Sequence, residues 1–380
     1  MNETNMDLVS WMKSEALPFW VQRGVDDTYG GFIESLNPDG SISNVEFKRV
    51  RVQGRQLFCF SMAALLKWHD QAPKAAEQGY EFIKATCQIS TGEWVSRIAR
   101  DGKILDAQMN LYDTAFIVLG LVTYYQLSQK QEVLQLVWKT LKRVQGSLIS
   151  SSRLGYRQSQ DEVSILRQNP HMHWFESMVF GFEVTQDERF LTEAKRMYQL
   201  AEQKLIDIPH GVLRELFNDQ WNPIHENGKI LVEPGHHYEW AWLILRAKNH
   251  MAVNENIAYQ LLDFADQVGV NHETKLVYDQ VSHQGEITQF THRLWVQTEA
   301  LKAWLVRKKI TDQSRHIHVQ QIEQNLFKYY LNCTPRGIWE DRITQNGIPS
   351  KELVPSSSMY HLMMGVVELW NWRKSHQEIS

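Results

Sequence analysis

Three histidines in this 380-residue sequence, His173, His236 and His361, have neighbours that favour acid–base chemistry. In two cases a glutamate lies three residues after the histidine, which gives the pairs His173–Glu176 and His236–Glu239. On a helix this spacing places both side chains on one face. A carboxylate in that position holds an imidazole in one tautomer and raises its basicity. The pattern therefore predicts histidine bases that work near neutral pH, with Glu176 and Glu239 orienting the histidines before them.

The same residues allow two other kinds of chemistry. His-x-x-Glu pairs also bind metal ions in helical bundles, but such sites need more carboxylates than we can place, and there is no HExxH motif. Asp113, Glu176, Glu239 and Glu299 could supply the carboxylate pair of a glycosidase. The abundance of histidine argues against that alternative enzyme class. We expect no metal site.

Nucleotide and acyl-transfer chemistry lack their motifs. The sequence has no GxGxxG after a strand, no GxxxxGK[ST] loop and no GxSxG turn, so we assign no cofactor. The net charge of −4 indicates neither nucleic acid nor an anionic membrane as a partner. Cys59, Cys87 and Cys333 lie far apart and are interpreted as buried thiols of a reducing compartment.

The N-terminal segment has no basic region followed by an apolar one, and no apolar run reaches the roughly 18 residues of a membrane span. We therefore expect a cytoplasmic chain, as a monomer or homodimer.

The elements that must position these residues form a repeat. Short apolar runs lead to a turn glycine at intervals of about sixty residues, with one double interval. These glycines follow Asp, Asn or Gln, as in β-hairpin turns, and are Gly40, Gly102, Gly228, Gly285 and Gly347. The segment around Leu154-Gly155-Tyr156 would be the sixth unit, in the double interval.

Each unit is predicted to contain two helices. The helix before a hairpin has one apolar face, as in segment 76–87, and is expected to lie on the outside. The helix after a hairpin is apolar nearly all round, as in segments 57–66, 115–122, 240–245 and 359–370. Six such pairs predict an all-α fold, a single (α/α)6 barrel over residues 1–380 with short β-hairpins at the active-site mouth. An open solenoid is the competing architecture.

The inner helices would begin at this mouth, and their first turns carry the candidate residues. Besides the three histidines, the expected substrate-binding residues are Arg55, Tyr112, Asp113, Asn169, Glu176, Glu239, Trp295 and Gln297. The neighbouring His171, His237 and His292 are interpreted as secondary or solvated. Most of the 14 tryptophans are expected in the core, and a few could face a sugar.

Four motifs lie at residues 168–176 (QNPHMHWFE), 233–240 (EPGHHYEW), 294–299 (LWVQTE) and 360–361 (YH). Together they resemble the N-acylglucosamine 2-epimerase superfamily, and are nearest to its bacterial D-mannose isomerases. This sequence differs from the family pattern at two positions, where Trp174 and Ser177 replace the usual Leu and Ala. We expect this difference to affect the rim of the pocket. The resemblance implies an (α/α)6 barrel and metal-free proton transfer at C2 of an open-chain sugar.

By the same resemblance, His236 and His361 are the acid–base pair, Arg55 lies on the oxyanion side, and His173 assists ring opening. The expected reaction converts D-mannose to D-fructose through a cis-enediol, on an unphosphorylated sugar. A sugar 2-epimerase, acting on mannose/glucose or N-acylglucosamine, uses the same histidines and stays open as the alternative. A non-enzymatic sugar-binding protein would not need three histidines at the mouth.

Overall fold

Helices dominate the computed structural model, which describes residues 7–150, 154–159, 161, 165–308 and 311–377. The first outer segment consists of α1 and α2, which a π-helical turn at Met12–Ala16 connects. In chain order the helices are α1 (Leu8–Trp11), α2 (Leu17–Arg23), α3 (Val50–Leu65), α4 (Ala72–Thr86), α5 (Leu111–Ser128), α6 (Gln131–Ser147), α7 (Gln168–Thr185), α8 (Glu188–Leu200), α9 (Pro234–Ala247), α10 (Glu255–Val268), α11 (Leu294–Val306), α12 (Asp312–Leu326) and α13 (Ser358–Gln377).

The burial pattern follows the predicted alternation. On α4, Ala76, Tyr80 and Ile83 are buried, whereas Glu81 and Lys84 on the other face are exposed. Helices α3, α5, α7, α9 and α11 are buried around most of their circumference, including their polar residues. Apolar faces therefore sort the helices into an inner and an outer layer.

The inner helices contact one another in a closed circuit. Helix α3 packs on α5, α5 on α7, α7 on α9, α9 on α11, α11 on α13, and α13 again on α3. At most of these contacts, a backbone carbonyl of a hairpin also accepts a hydrogen bond from the start of an inner helix. The Ser96 carbonyl, for example, accepts from Val50 N at 3.0 Å. The bond from Ser356 N to the Glu34 carbonyl, 3.1 Å, joins the two ends of the chain. An open solenoid would lack this last contact.

Short antiparallel strands link successive units at this end of the helices. The pairs are β1 (Ser35–Leu36) with β14 (Val354–Pro355); β2 (Phe47–Arg49) with β3 (Arg97–Ala99), which also pairs β4 (Ile104–Asp106); β5 (Leu166–Arg167) with β8 (Leu216–Phe217); β6 (Ile206–Asp207) with β7 (Val212–Leu213); β9 (Leu231–Val232) with β10 (Gln280–Ser282), which also pairs β11 (Ile287–Gln289); and β12 (His292–Arg293) with β13 (Arg342–Ile343). The five predicted turn glycines have φ between 75° and 93°, which confirms their turns.

The unit in the double interval is also present. Tyr156 bridges Ile149, and Leu111 N donates to the Gln158 carbonyl at 2.8 Å. Residues 151–153, 160 and 162–164 of this stretch lie outside the described residues.

Cys59 and Cys87 are buried free thiols, as predicted. Cys333 is only half-buried, because it follows α12 in a loop near the surface. Within the described part of the chain, no helix combines the length and the apolar character needed to cross a membrane.

Candidate active site

Three buried histidines on α7, α9 and α13 each have a carboxylate oxygen at Nδ1. The distances are 3.0 Å for His173 and Glu176, 3.0 Å for His236 and Glu215, and 2.7 Å for His361 and Glu299. An ionised carboxylate only accepts hydrogen bonds, so it holds the hydrogen on Nδ1. Among the described residues, no hydrogen bond engages Nε2 of these rings. Each ring thus keeps one nitrogen for a substrate.

The three histidines converge, as predicted. Nδ1 of His173 lies 3.9 Å from Glu239 Oε1, and one ligand atom each of Glu239, Glu299 and His361 lies within 4.8 Å of the others. The Trp295 ring contacts both other imidazoles, with centroids 5.1 Å from His236 and 5.5 Å from His361. Four inner helices thus contribute to one cluster.

Trp295 reaches this place because α9 has a glycine opposite it. A Cβ on Gly235 would lie 2.6 Å from the Trp295 ring, which is closer than real side-chain contacts. Pro234 begins the helix at its first position, where a missing N–H costs nothing. The Glu-Pro-Gly-His segment therefore both begins α9 and opens space for the aromatic wall beside His236.

Arg55 and Tyr112 belong to the same cluster. The Arg55 guanidinium donates to the Tyr112 hydroxyl at 2.9 Å and lies 3.9 Å from the Phe116 ring centroid. Phe116 in turn packs on His173, with centroids 4.5 Å apart. A Cβ on Gly54 would lie 2.5 Å from the Phe116 carbonyl oxygen, so this glycine permits the close approach of α3 and α5 that places Arg55 here.

The prediction that Glu239 orients His236 is wrong. His236 turns instead to Glu215, on β7–β8 of the preceding hairpin, although Glu239 lies on the predicted face of α9. One further side-chain bond holds Glu215, because Gln168 donates to its second oxygen at 2.8 Å, and Trp240 in turn donates to Gln168 at 2.8 Å. Helix spacing alone did not reveal Glu215, because a hairpin residue has no fixed offset from a helix that follows it.

Gln297 does not face the cluster, contrary to its predicted role in substrate binding. Its amide oxygen accepts from Val277 N at 2.9 Å, and its amide nitrogen donates to the Val277 carbonyl at 3.0 Å. Gln53 makes the same pair of bonds to Phe32, both 2.8 Å. A long amide at this helix position satisfies the backbone of a buried hairpin, which explains the residue type.

The neighbouring histidines have related structural roles and are not solvated. His171 accepts from Tyr156 N and His237 accepts from Leu213 N, both at 2.9 Å, and both side chains are buried. His292 is also buried, with Nδ1 2.9 Å from the Val277 carbonyl. The interpretation of these rings as solvated was wrong, because polar backbone in a buried hairpin needs polar side-chain partners.

Three other predicted residues lie at the edge of the cluster. Asp113 is buried and binds Arg51 at 2.9 Å, so it supports the mouth rather than contacting the histidines. Asn169 keeps a buried amide oxygen that has no partner in the described part of the chain, which leaves it available to a ligand. Trp174 points to the outer layer and donates to Glu193 at 2.9 Å, so this departure from the family pattern does not form the pocket rim.

The sequence profile of the N-acylglucosamine 2-epimerase family matches residues 31–365. The chain belongs to this family. A mannose-6-phosphate isomerase of Rhizobium meliloti (strain 1021) is 30% identical over 373 residues, 96% of each chain. A cellobiose 2-epimerase of Dictyoglomus turgidum (strain DSM 6724 / Z-1310) is 22% identical, covering 90% of this chain and 92% of the relative. A crystal structure of a D-mannose isomerase has a TM-score of 0.87 at 20% identity, covering 98% of this chain and all of that one, and so shares the fold.

This is a family of sugar isomerases and epimerases, whose chemistry needs one group to remove a proton and another to deliver one. In this chain His236 is suited to delivery. Burial acts to lower its pKa, but the carboxylates of Glu215 and Glu233 outweigh burial and raise the pKa to about 9. The ring is therefore an imidazolium at neutral pH.

His361 and His173 are suited to proton removal. Burial, with the nearby charges of Arg55 and Lys302, holds the pKa of His361 well below its usual value. Burial also lowers the pKa of His173 to about 4, although the hydrogen bond to Glu176 opposes it. Both rings are neutral at pH 7, with the lone pair on Nε2.

The carboxylates of the cluster also differ. Burial raises the pKa of Glu239 well above its usual value, and the neighbouring Glu299 raises it further. Burial raises the pKa of Glu299 to about 7, although the Lys302 ammonium opposes it. Glu176 keeps a lowered pKa despite burial, because it accepts hydrogen bonds from His173 and from the Tyr360 hydroxyl.

Two sets of side chains have spacings that a metal ion also uses: His173 with Glu176 and Glu239, and Glu239 with Glu299 and His361. The Lys302 ammonium lies 2.6 Å from Glu299 Oε2, so one carboxylate of the second set already has a cationic partner. Burial favours the uncharged form of Glu239, which lowers the negative charge available to a metal ion in both sets. The donor atoms fit proton transfer better than metal binding, and the predicted absence of a metal stays a prediction.

Proposed function

We propose that the chain is an aldose–ketose isomerase that interconverts D-mannose and D-fructose by acid–base catalysis between His361 and His236. The observation that carries the proposal is their opposite protonation at neutral pH, with Nδ1 of each ring on a carboxylate. One ring thus offers a lone pair and the other a hydrogen, without any change of conformation. Groups with pKa values pushed apart are typical of a paired acid and base.

The reaction proceeds on the open-chain sugar. His361 Nε2 removes the proton from C2 while His236 donates a proton to the carbonyl oxygen at C1, which gives a cis-enediol. His361 then returns its proton to C1, and the neutral His236 takes the proton from the C2 hydroxyl as the ketone forms. Both histidines end in their starting states, so protons balance over the cycle. A positioned base and acid of this kind contribute about 10²- to 10⁴-fold each.

Other side chains of the cluster have supporting roles in this proposal. Arg55, which keeps an unpartnered buried Nε within the described residues, stabilises negative charge on the developing enediolate. His173 moves a proton to or from the ring oxygen during ring opening. The half-exposed Trp295 supplies a flat apolar wall against the C–H groups of the sugar.

A sugar 2-epimerase is the second candidate, and the similarity to cellobiose 2-epimerases favours it. In that reaction the intermediate regains its proton at C2 from the opposite face, so the product is an epimer and no ketose forms. The same acid–base pair would serve, with His236 delivering the proton to carbon. No observation favours a glycosidase, because Glu176 and Glu299 are already bonded to histidines.

Mannose incubated with the protein in D2O and followed by NMR separates these candidates. The isomerase proposal predicts fructose that carries deuterium at C1. Glucose or another C2 epimer without ketose would favour the epimerase. No product and no exchange at C2 would refute proton transfer on this sugar.

We also propose that the substrate carries no phosphate, although one relative is named mannose-6-phosphate isomerase. Besides Arg55, two arginines at the mouth are already paired with carboxylates, since Arg51 binds Asp113 at 2.9 Å and Arg293 binds Glu233 at 3.2 Å. A phosphate usually recruits free positive charge. The test compares kcat/KM for mannose and mannose 6-phosphate, and a higher value for the phosphate would contradict the proposal.

The closed circuit of inner helices supports the proposal that the chain is a single-domain (α/α)6 barrel over residues 1–380. We further propose a cytoplasmic monomer or homodimer that acts on free monosaccharide, without nucleic acid or membrane partners. Light scattering during size-exclusion chromatography tests the oligomeric state, and a larger assembly would contradict it.

A further inference from the structure

Lys302 on α11 is a buried lysine at the back of the catalytic cluster. Its side chain has no exposed surface, and Nζ lies 2.6 Å from Glu299 Oε2 and 3.9 Å from the centroid of the Trp242 ring. Lysine is almost never fully buried unless it is paired, because removing the ammonium from water costs several kcal/mol. A purely structural role would be met more cheaply by an apolar residue of similar size.

The position of the ammonium connects it to the proposed base. Glu299 uses its two oxygens on two different partners, with Oε2 facing Lys302 and Oε1 accepting from His361 Nδ1 at 2.7 Å. Lys302 therefore lies one carboxylate away from the ring that removes the proton. Neither Lys302 nor Glu299 needs to contact the sugar to affect this ring.

Glu299 lies in surroundings that favour its protonated form. Burial disfavours the ionised form of this carboxyl group, and the carboxylate of Glu176 on α7 repels a further negative charge there. The charged and titratable groups that face the Glu299–His361 pair come from five inner helices: Arg55 on α3, His173 and Glu176 on α7, His236 and Glu239 on α9, Lys302 on α11 and Tyr360 on α13. Among these groups, Lys302 is the cation at ion-pair distance from Glu299.

We infer that Lys302 is a positioning residue that keeps a second proton off the Glu299–His361 pair, and so keeps His361 Nε2 free to act as the base. The inference rests on the proposed function of His361 and names a residue that controls it. With one proton on the pair, an ionised Glu299 accepts the Nδ1 hydrogen and the lone pair remains on Nε2. A second proton either makes His361 an imidazolium or converts Glu299 to a hydrogen-bond donor, and both remove the base.

The consequence is a defined pH dependence. The Lys302 ammonium lowers the affinity of the pair for a proton, so its removal must move the acidic limb of the rate profile to higher pH. Each pH unit of movement corresponds to about a tenfold loss of rate on the acidic side. A lysine that only stabilises the fold would instead change the rate by the same factor at every pH.

The experiment compares kcat from pH 5.5 to 9 for the wild type, Lys302→Met and Lys302→Gln on mannose. We expect both variants to lose about tenfold or more near pH 6.5 and to recover toward the wild-type rate near pH 8.5. The matched control is Lys48→Met, which removes a buried ammonium paired with Asp26 at 3.0 Å, outside the cluster. This control should lose stability while its acidic limb stays in place.

A second readout does not depend on turnover. Nitrogen NMR of histidine-labelled protein reports which ring nitrogen of His361 carries hydrogen, with His361→Gln identifying the signal. We expect the form with a hydrogen on Nδ1 alone to persist to lower pH in the wild type than in Lys302→Met, in which the second proton or the hydrogen on Nε2 appears at higher pH. Because Lys302→Gln is polar, it provides the comparison if the methionine variant fails to fold.

An unshifted acidic limb together with an unchanged His361 tautomer in both variants would overturn the inference. A protein that exchanges no C2 proton on any sugar would instead refute the proposed function. In that case the NMR titration still decides whether Lys302 controls protonation of the pair.

Discussion

Replacement of Glu215 by glutamine removes the negative charge that lies nearest to His236 and keeps the shape of the side chain. The rise in the pKa of His236 from 6.5 to about 9 corresponds to about 3 kcal/mol. Burial alone would lower this pKa, and Glu233, at 3.7 Å, is the second carboxylate that opposes burial. Without the Glu215 charge we expect the pKa of His236 to fall to about 7 or below.

The proposed acid is then deprotonated in the working range, so the basic limb of kcat moves from near pH 9 to near pH 7. At pH 8 this predicts a loss of about tenfold or more, whereas the loss at pH 6 is small. The assay is kcat for mannose across this range, with folding checked by circular dichroism. The comparison variant is Glu239→Gln, because burial favours the uncharged form of Glu239, which also contributes less than Glu215 to the raised pKa of His236.

The comparison variant should leave the basic limb in place, whatever it does to the maximal rate. The reasoning is refuted if Glu215→Gln keeps its basic limb near pH 9, or if Glu239→Gln moves that limb instead. Stability provides an independent check. A folded-state pKa above the unfolded value stabilises the protein fully below about pH 6.5 and loses this contribution as pH rises through about 9. The wild-type Tm should therefore fall more over this interval than the Tm of Glu215→Gln.

Three further predictions follow from the cluster and its hairpins. His236→Ala and His361→Ala should each lose at least about 10²-fold in kcat with intact circular dichroism, and a loss below about tenfold would contradict their roles. His237→Ala should lower the free energy of unfolding by about 1–3 kcal/mol, because the buried Leu213 N–H loses its hydrogen-bond acceptor, and urea titration measures this loss. Both limbs of the kcat–pH profile should stay in place, and a shift of either limb would mean that His237 takes part in the chemistry. EDTA treatment should leave turnover unchanged, and a loss that one divalent ion restores would show that the cluster holds a metal.

The sequence was sufficient to predict the inner helices and the residues in their first turns, because both follow from local periodicity. Apolar residues all round a helix predict burial, and the position of His173, His236 and His361 in the inner helices follows directly. The pairing of His173 with Glu176 was also predictable, since it lies within one helical turn. These features depend on neighbours three or four residues apart.

Pairings between units could not be derived in this way. His361 and Glu299 are separated by 62 positions, and His236 and Glu215 by 21, so no helical spacing connects them. Gln297 illustrates a different error. A polar residue in the buried first turn of a helix can bind either a ligand or a hairpin backbone, and Gln297, like Gln53, binds the backbone. Only the direction of the side chain distinguishes the two, and that depends on packing.

The hairpins themselves explain why Glu215 was missed. It occupies a position that recurs in other units, two residues after the buried apolar residue that begins each hairpin. Glu34 at this position accepts from Arg49 N at 2.9 Å, and Asp279 accepts from Arg293 N at 2.6 Å, so both hold the start of an inner helix. Glu215 contributes its backbone carbonyl in the same way, to Gln168 N at 3.1 Å, but its side chain reaches His236.

On the proposed function, a structural position of the repeat therefore takes part in acid–base chemistry in one unit, without any change in residue type that a sequence would reveal. The difference lies in what the carboxylate faces: a helix N-terminus at Glu34, and an imidazole at Glu215. Substitution at the two sites should separate these roles. Glu34→Gln should lower the Tm and leave the basic limb of the kcat–pH profile in place, whereas Glu215→Gln should move that limb. If the limb moved equally in both variants, the mouth as a whole, and not Glu215, would set the charge of His236.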